Sequence, residues 1–216
     1  MYNYSSLVLQ KLLSTNAHLG RRVAAYHSKV YIYGFGNEIA ILDSDKTLIC
    51  LRNACHFIGS LIRKKGRLLF VNTNSLFDEI IEQMALSLID RSCINDYQWR
   101  IGGFLTDYSS MHLFPKKIRF LRPGNKKINF FGGSGLNQRP DCVVIMNADR
   151  ESSVILGADR LQIPIVSLVD SNIPLGLCKG ITYPIPANDS IQFVYLFCNL
   201  ITKTVLLERG KIVAMK

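Results

Sequence analysis

The spacing of apolar positions changes several times along the chain, and each change marks an element. Residues 6–14 carry Leu7, Leu9, Leu12 and Leu13 and predict a short amphipathic helix, ended by "NAHLGRR". In "KVYIYGFGNEIAIL", β-rich flanks surround Gly34-Phe35-Gly36-Asn37, the signature of a hairpin. Asp43, Ser44 and Asp45 are candidate caps for a helix whose apolar positions are Leu48, Leu51, Cys55, Ile58 and Ile62, with Gly66 as its stop. "RLLFVNT" is a continuous apolar strand, buried on both sides, and "SLFDEIIEQMALSLIDR" a helix with Ile80, Ile81, Met84, Leu88 and Ile89 inward.

"CVVIMN" is a second strand of the same kind, "RESSVILGADRLQ" a helix weakened by Gly157, "IPIVSLVD" a third strand and "GITYPIP" a short fourth. A long helix from about Asp189 to Glu208 closes the chain, with Ile191, Val194, Phe197, Cys198, Ile201 and Val205 inward. Alternating strands and helices predict an α/β fold, a parallel sheet covered on both faces. Residues 108–140 break the alternation. They hold Lys116, Lys117, Arg119, Arg122, Lys126, Lys127 and Arg139, no acid, several glycines, and Phe114, Phe120, Phe130 and Phe131 between the bases. The expected organisation is one α/β domain from 1–107 and 141–216, with 108–140 as an inserted, irregular basic loop facing RNA or a partner.

Composition sharpens this picture. The 216 residues are 48% hydrophobic, enough for one sizeable core. Charged residues are 19%, yet 26 Lys and Arg face 16 acids, a net +10. The excess comes from few acids rather than many bases. It favours a polyanionic partner, nucleic acid before an anionic membrane; the bland alternative is a basic protein without one.

The six cysteines (Cys50, Cys55, Cys93, Cys142, Cys178, Cys198) form no C-x-x-C pair and have no His at ligand spacing. Most sit in apolar runs, so reduced thiols and no structural zinc are expected. No uninterrupted apolar run reaches about 18 residues, so no transmembrane helix is expected. "MYNYSSLVLQKLLSTN" shows neither a signal peptide nor an Arg-rich transit peptide. The expectation is a protein made where it works, or one that has already lost a presequence.

Polar residues follow the third strand in "VSLVDSNIPLGLCKGITYPIPANDS", where α/β enzymes keep their active sites. One reading is therefore an α/β enzyme acting on an anionic small molecule in the loop from Asp170 to Asp189. The rest of the chain does not assemble the parts. "LLFVNTNSLFDE" lacks the glycines that let backbone approach a pyrophosphate, and "FFGGSGLNQ" has no strand-to-helix context. No G-x-S-x-G elbow occurs, and His18, His27, His56 and His112 form no triad with Ser or Cys. His56 reads as structural, and His18 as a phosphate or partner contact. No catalytic residue, metal site or cofactor is expected. Asp170 and Asn172 then read as turn-shaping, and Asn188 or Asp189 as the cap of the closing helix.

Four stretches occur in order: "HLGRR", "QWRIGGFLT", "IPIVSLVDSN" and "YPIPANDS". Together they resemble the bacterial-type small-subunit ribosomal protein S2 family, and within it the plant mitochondrial form, from about Leu12 to Leu206 apart from the insert. Bacterial members read His-Phe-Gly-His where this chain has His18-Leu19-Gly20-Arg21, and Val-Asp-Thr-Asn where it has Val169-Asp170-Ser171-Asn172. Arg100 is an extra residue before the Gly102-Gly103 pair.

The resemblance implies a Rossmann-like or flavodoxin-like domain with an N-terminal hairpin and no catalysis. It implies a structural role in the mitochondrial small ribosomal subunit, contacting small-subunit ribosomal RNA and neighbouring ribosomal proteins, without a membrane and without homo-oligomerisation. Bacterial members carry a coiled-coil hairpin after the Trp-Gly-Gly segment; residues 108–140 show no heptads, so a short basic loop replaces it. The candidate RNA contacts are Arg21, Arg22 and Lys29 by the hairpin, Arg63, Lys64 and Lys65 at a helix end, Arg100, and Lys116, Lys117, Arg119, Arg122, Lys126 and Lys127 in the insert. Cations at a helix C-terminus equally complement its dipole, the insert's aromatics equally pack on their own protein, and Trp99 serves either a base or the core. A free RNA-binding regulator is the third reading.

Overall fold

A computed structural model describes residues 2–22, 25–72, 74–88, 140–150 and 152–214. Ile89, Cys93, Trp99, Arg100 and residues 108–139 of the basic insert lie outside them.

The continuous apolar runs become the centre of the molecule. The element order is α1 (Tyr2–Ser14), a hairpin of β1 (Ile32–Gly36) and β2 (Ile39–Leu42), α2 (Ser44–Arg63), β3 (Leu68–Val71), α3 (Asp78–Leu88), β4 (Cys142–Ile145), α4 (Ser152–Arg160), β5 (Ile165–Val169), α5 (Leu175–Gly180), β6 (Tyr183–Pro186) and α6 (Ile191–Ala214). Strands β3, β4, β5 and β6 lie in that order, each pair parallel. Every residue of β3, β4 and β5 is buried, as a sheet covered on both faces requires. Successive residues point to opposite faces. Leu68, Phe70, Val144 and Leu168 meet α2, α3, α6 and Leu12 of α1. Leu69, Val71, Val143 and Ile165 meet α4, with Leu177 and Cys178 of α5 packed alongside. Pro184 and Pro186 fall in β6, at the sheet edge where a missing donor is tolerated.

Helix ends follow local chemistry, with three differences from expectation. Asp43 does cap α2, its carboxylate accepting from the backbone N–H groups of Asp45 (3.0 Å) and Lys46 (3.3 Å). At the other end Lys65, not Gly66, takes the left-handed conformation (φ 60°). Lys65 N–H bonds to Ile62 O and Gly66 N–H to Leu61 O, both 2.9 Å. Gly66 is needed for space instead: a Cβ there would lie 2.6 Å from Leu61 Cγ. The cap of α6 is Ser190, whose hydroxyl accepts from Phe193 N–H (3.2 Å), rather than Asn188 or Asp189. Helix α6 is long and apolar enough to cross a membrane (Ile191–Ile212), but Phe193, Val194, Phe197, Cys198, Ile201 and Val205 are buried against the sheet and α2. Ile191, expected inward, is half exposed because it stands at the open start of the helix.

The apolar stretch after Pro174 forms α5, where the sequence reading has only a turn. It is a single short helix between β5 and β6, too brief for periodicity to reveal. The hairpin turn sits one step later than its glycines suggest. Asn37 (φ 49°) and Glu38 (φ 65°) are its two central residues, both left-handed as a tight two-residue hairpin loop demands.

Candidate functional site

Strands β3, β4, β5 and β6 all end on polar residues at one edge of the sheet: Asn72, Asn147, Asp170 with Ser171, and Asn188 with Asp189. In a doubly wound fold this edge is the place for a ligand. Here the chain's own residues 15–22, together with Ala25, lie across it.

The segment is fixed from both sides. On the hairpin side it runs as an extra edge beside β2. Leu19 bridges Ile41, Gly20 N–H donates to Ala40 O (2.8 Å), Ala40 N–H to Arg21 O (3.1 Å), and Leu42 N–H to His18 O (2.7 Å). On the sheet side, Arg21 N–H donates to Ser171 Oγ (2.9 Å), Ala25 N–H to Ser171 O (2.9 Å), Asn188 N–H to Ala17 O (2.9 Å), and Ser190 Oγ to Thr15 O (2.7 Å). Gly20 permits this approach. A Cβ there would meet Ser171 Oγ at 2.8 Å and Ala40 O at 3.0 Å.

Charge closes the arrangement. Arg21 Nε donates to Asp170 Oδ2 at 2.8 Å, and its NH2 lies 3.5 Å from Asp149 Oδ2. The Asp170 side chain is 8% exposed and that of Arg21 47%, so the carboxylate is buried and the guanidinium spans edge and solvent. Burial alone would lower the Arg21 pKa. The hydrogen bond and charge of Asp170, with Asp149 and Asp189, outweigh that and raise it. Asp170 Oδ1 also accepts from Ser171 N–H (2.6 Å), fixing the turn after β5. Asn147 Nδ2 donates to Asp189, and Asn147 Oδ1 accepts from Asp149 N–H (3.0 Å), tying the end of β4 to the start of α6.

The expectation that Asp170 shapes a turn is met, and Arg21 adds a partner from 149 positions away. Ser171, part of the Val169–Asn172 motif, joins the network, and Asn147, Asp149 and Ser190 complete it without having been singled out from sequence. The usable signal for Asn147 and Asp149 was their place just after β4, equivalent to that of Asp170 after β5. His18 is half-buried and Asn172 Oδ1 is buried; His18 Nδ1 and Asn172 Oδ1 have no hydrogen-bond partner among the described residues. His56 is exposed on α2 rather than beside the core. Among the described residues five thiols are free, with Cys142 and Cys198 buried, and no group of His, Cys, Asp or Glu is arranged to hold a metal.

The candidate cations divide. Arg22 and Lys29 are exposed near the carboxyl edge of the sheet. Arg63, Lys64 and Lys65 are exposed at the far end of α2, with Arg63 Nε 3.6 Å from Glu208 Oε2. Helix α2 has 20 residues, so the two groups stand about 30 Å apart along it and do not converge. Arg100 and the six insert cations fall outside the described residues.

A sequence model of the family "Ribosomal protein S2" matches residues 12–127 and 109–207. The chain is 50% identical to "Small ribosomal subunit protein uS2m" of Arabidopsis thaliana, covering 95% of this chain and 90% of that protein. It is 51% identical to the protein of the same name from Marchantia polymorpha, covering 97% and 95%. With "Small ribosomal subunit protein uS2" of Pseudoalteromonas atlantica the identity is 28%, over 96% of this chain and 93% of that protein.

Proposed function

The chain belongs to the ribosomal protein S2 family, and from that membership we infer that it is a structural component of the small subunit of the mitochondrial ribosome. It works in translation as part of that particle and not as an enzyme. The observation that carries the physical side of this reading is the occupied sheet edge. Residues 15–22 and Ala25 lie across the edge that an α/β enzyme would keep for its substrate, and the Arg21–Asp170 pair fastens them there.

Within the particle, the protein holds small-subunit ribosomal RNA and neighbouring ribosomal proteins as a single copy. Arg22, Lys29, Arg63, Lys64 and Lys65 supply phosphate contacts from exposed positions, joined by Arg100, Lys116, Lys117, Arg119, Arg122, Lys126 and Lys127. Arg21, the remaining candidate, is about half exposed and offers the RNA the solvent side of a guanidinium that also pairs with Asp170 and Asp149. The net charge of +10 supports a polyanionic partner.

Sedimentation of mitochondrial lysate tests the reading. The protein is expected to travel with the small subunit in low magnesium and with the whole ribosome in high magnesium. A protein found only in the soluble fraction would overturn it.

A further inference from the structure

The hairpin shows an aromatic surface that the fold itself does not use. Tyr33 is 82% exposed and Phe35 60%, with Val30 at 66% just before the strand. The strand register slips between Ile32 and Gly34, so Tyr33 is the extra residue of a β-bulge, a device that re-aims a side chain. Lys46 in the first turn of α2 donates to Val30 O at 2.7 Å, which holds that helix against the hairpin. One turn on, Ile49 is 56% exposed and extends the surface.

The outer face of α2 gives this surface its electrostatic setting. Its exposed positions are Lys46, Ile49, Arg52, Asn53, His56 and Arg63, at helical spacing and opposite the buried Leu48, Leu51, Ile58 and Ile62, and Lys64 continues the line. The acids against it are Asp45 in the first turn, Asp43 on Lys46 (3.4 Å) and Glu208 beside Arg63 (3.6 Å). Glu38 stands exposed at the hairpin tip. Arg52 and Lys64 form no ion pair among the described residues.

Aromatics at one end of a cationic track match unpaired nucleotides better than a duplex or an apolar peptide. Exposed rings stack on bases of any identity, while the cations follow the backbone. We propose that Tyr33 and Phe35 form a base-stacking platform for single-stranded ribosomal RNA, whose backbone then runs along the outer face of α2 through Arg52 towards Arg63 and Lys64. The proposal rests on the ribosomal reading and names its contact surface.

The test uses the purified full chain with a labelled oligouridylate and an RNA duplex of the same length. The double variant Tyr33→Leu with Phe35→Leu keeps apolar bulk but removes the rings. It should weaken oligouridylate binding about tenfold or more while leaving duplex binding and thermal stability unchanged. Tyr33→Phe should bind as the native chain does. Arg52→Gln with Lys64→Gln should instead flatten the salt dependence, by about 0.7 for each phosphate no longer neutralised on a single strand.

If the leucine pair binds oligouridylate as tightly as the native chain, the platform is disproved. It is equally disproved if that pair keeps RNA affinity yet fails to enter small subunits, because the face is then a protein contact. A native chain that sediments with small subunits but binds neither probe also overturns the platform while leaving the ribosomal reading intact. One that neither sediments nor binds removes the ribosomal reading itself.

Discussion

Arg21 and Asp170, 149 positions apart in the chain, meet at 2.8 Å over the carboxyl edge of the sheet. This contact turns a ligand crevice into a closed seam. The carboxylate is buried, so removing its partner leaves a charge in the interior with less compensation. Arg21→Ala is expected to destabilise the protein by about 1–3 kcal/mol, below the range for fully buried pairs because the guanidinium is half exposed. Urea denaturation measures it. Asp170→Asn should cost less than Asp170→Ala, since the amide oxygen still accepts from Ser171 N–H.

Close approach at Gly20 gives a second test. Gly20→Ala places a methyl 2.8 Å from Ser171 Oγ and 3.0 Å from Ala40 O, which must push residues 15–22 off one of their two neighbours. A loss of about 1–3 kcal/mol is expected, as for overpacking in a core. Adding Ser171→Ala relieves only part of the clash, because Ala40 O and the Ser171 Cβ position at 3.1 Å remain. A double-mutant cycle by thermal melting should therefore show coupling without full rescue.

Lys65 separates stability from binding. Its left-handed backbone (φ 60°) favours glycine, so Lys65→Gly should stabilise the chain by about 1 kcal/mol. The same change removes one exposed cation at the end of α2. A variant that melts higher yet binds RNA more weakly at low salt would show that the position serves binding at the expense of the cap. Equal RNA affinity would exclude Lys65 from the contact set.

Cys142 predicts a pH window. Burial raises its thiol from the ordinary 9.0 to about 12. Between these values the unfolded chain has lost the proton and the folded one keeps it. The unfolded state then binds fewer protons, so stability falls as pH rises, by about 1.4 kcal/mol per pH unit from this group. The contribution is fully present below about pH 9. Cys142→Ser should flatten the decline in denaturant midpoints across that range. In the native protein, iodoacetamide at mildly alkaline pH should spare Cys142, as peptide mass spectrometry would reveal.

The insert makes a fifth prediction. Replacing Lys116, Lys117 and Arg119 by Gln should lower the slope of log affinity against log salt by about 0.7–0.9 for each phosphate no longer neutralised. Thermal stability should stay unchanged, and an unaltered slope would remove these residues from the RNA surface.

Periodicity and composition were enough for the frame. Runs such as "CVVI" have no alternation because β4 is covered on both faces, and α2 repeats at helical spacing because one face meets the sheet. The same local signals placed Asp43 as a cap, since capping needs only a side-chain oxygen and the next few N–H groups. They misplaced the cap of α6 because three neighbouring residues, Asn188, Asp189 and Ser190, all had suitable oxygens. The tertiary structure decided among them: the Asp189 carboxylate accepts from Asn147, and Ser190, immediately before Ile191, has the hydroxyl that reaches Phe193 N–H.

The sequence by itself determined an α/β chain with a basic surface, and its ordered motifs pointed to the S2 family. Those features are local or additive, set by spacing, side-chain type and summed charge. Only the tertiary structure decided what the polar strand ends do. Asp170 after a parallel strand is compatible with catalysis or with structure, and the choice depends on what stands opposite it. That neighbour is Arg21, brought across the sheet by the hairpin and by a glycine small enough to let backbone touch backbone. No periodicity in either segment encodes their meeting, because it depends on long-range packing.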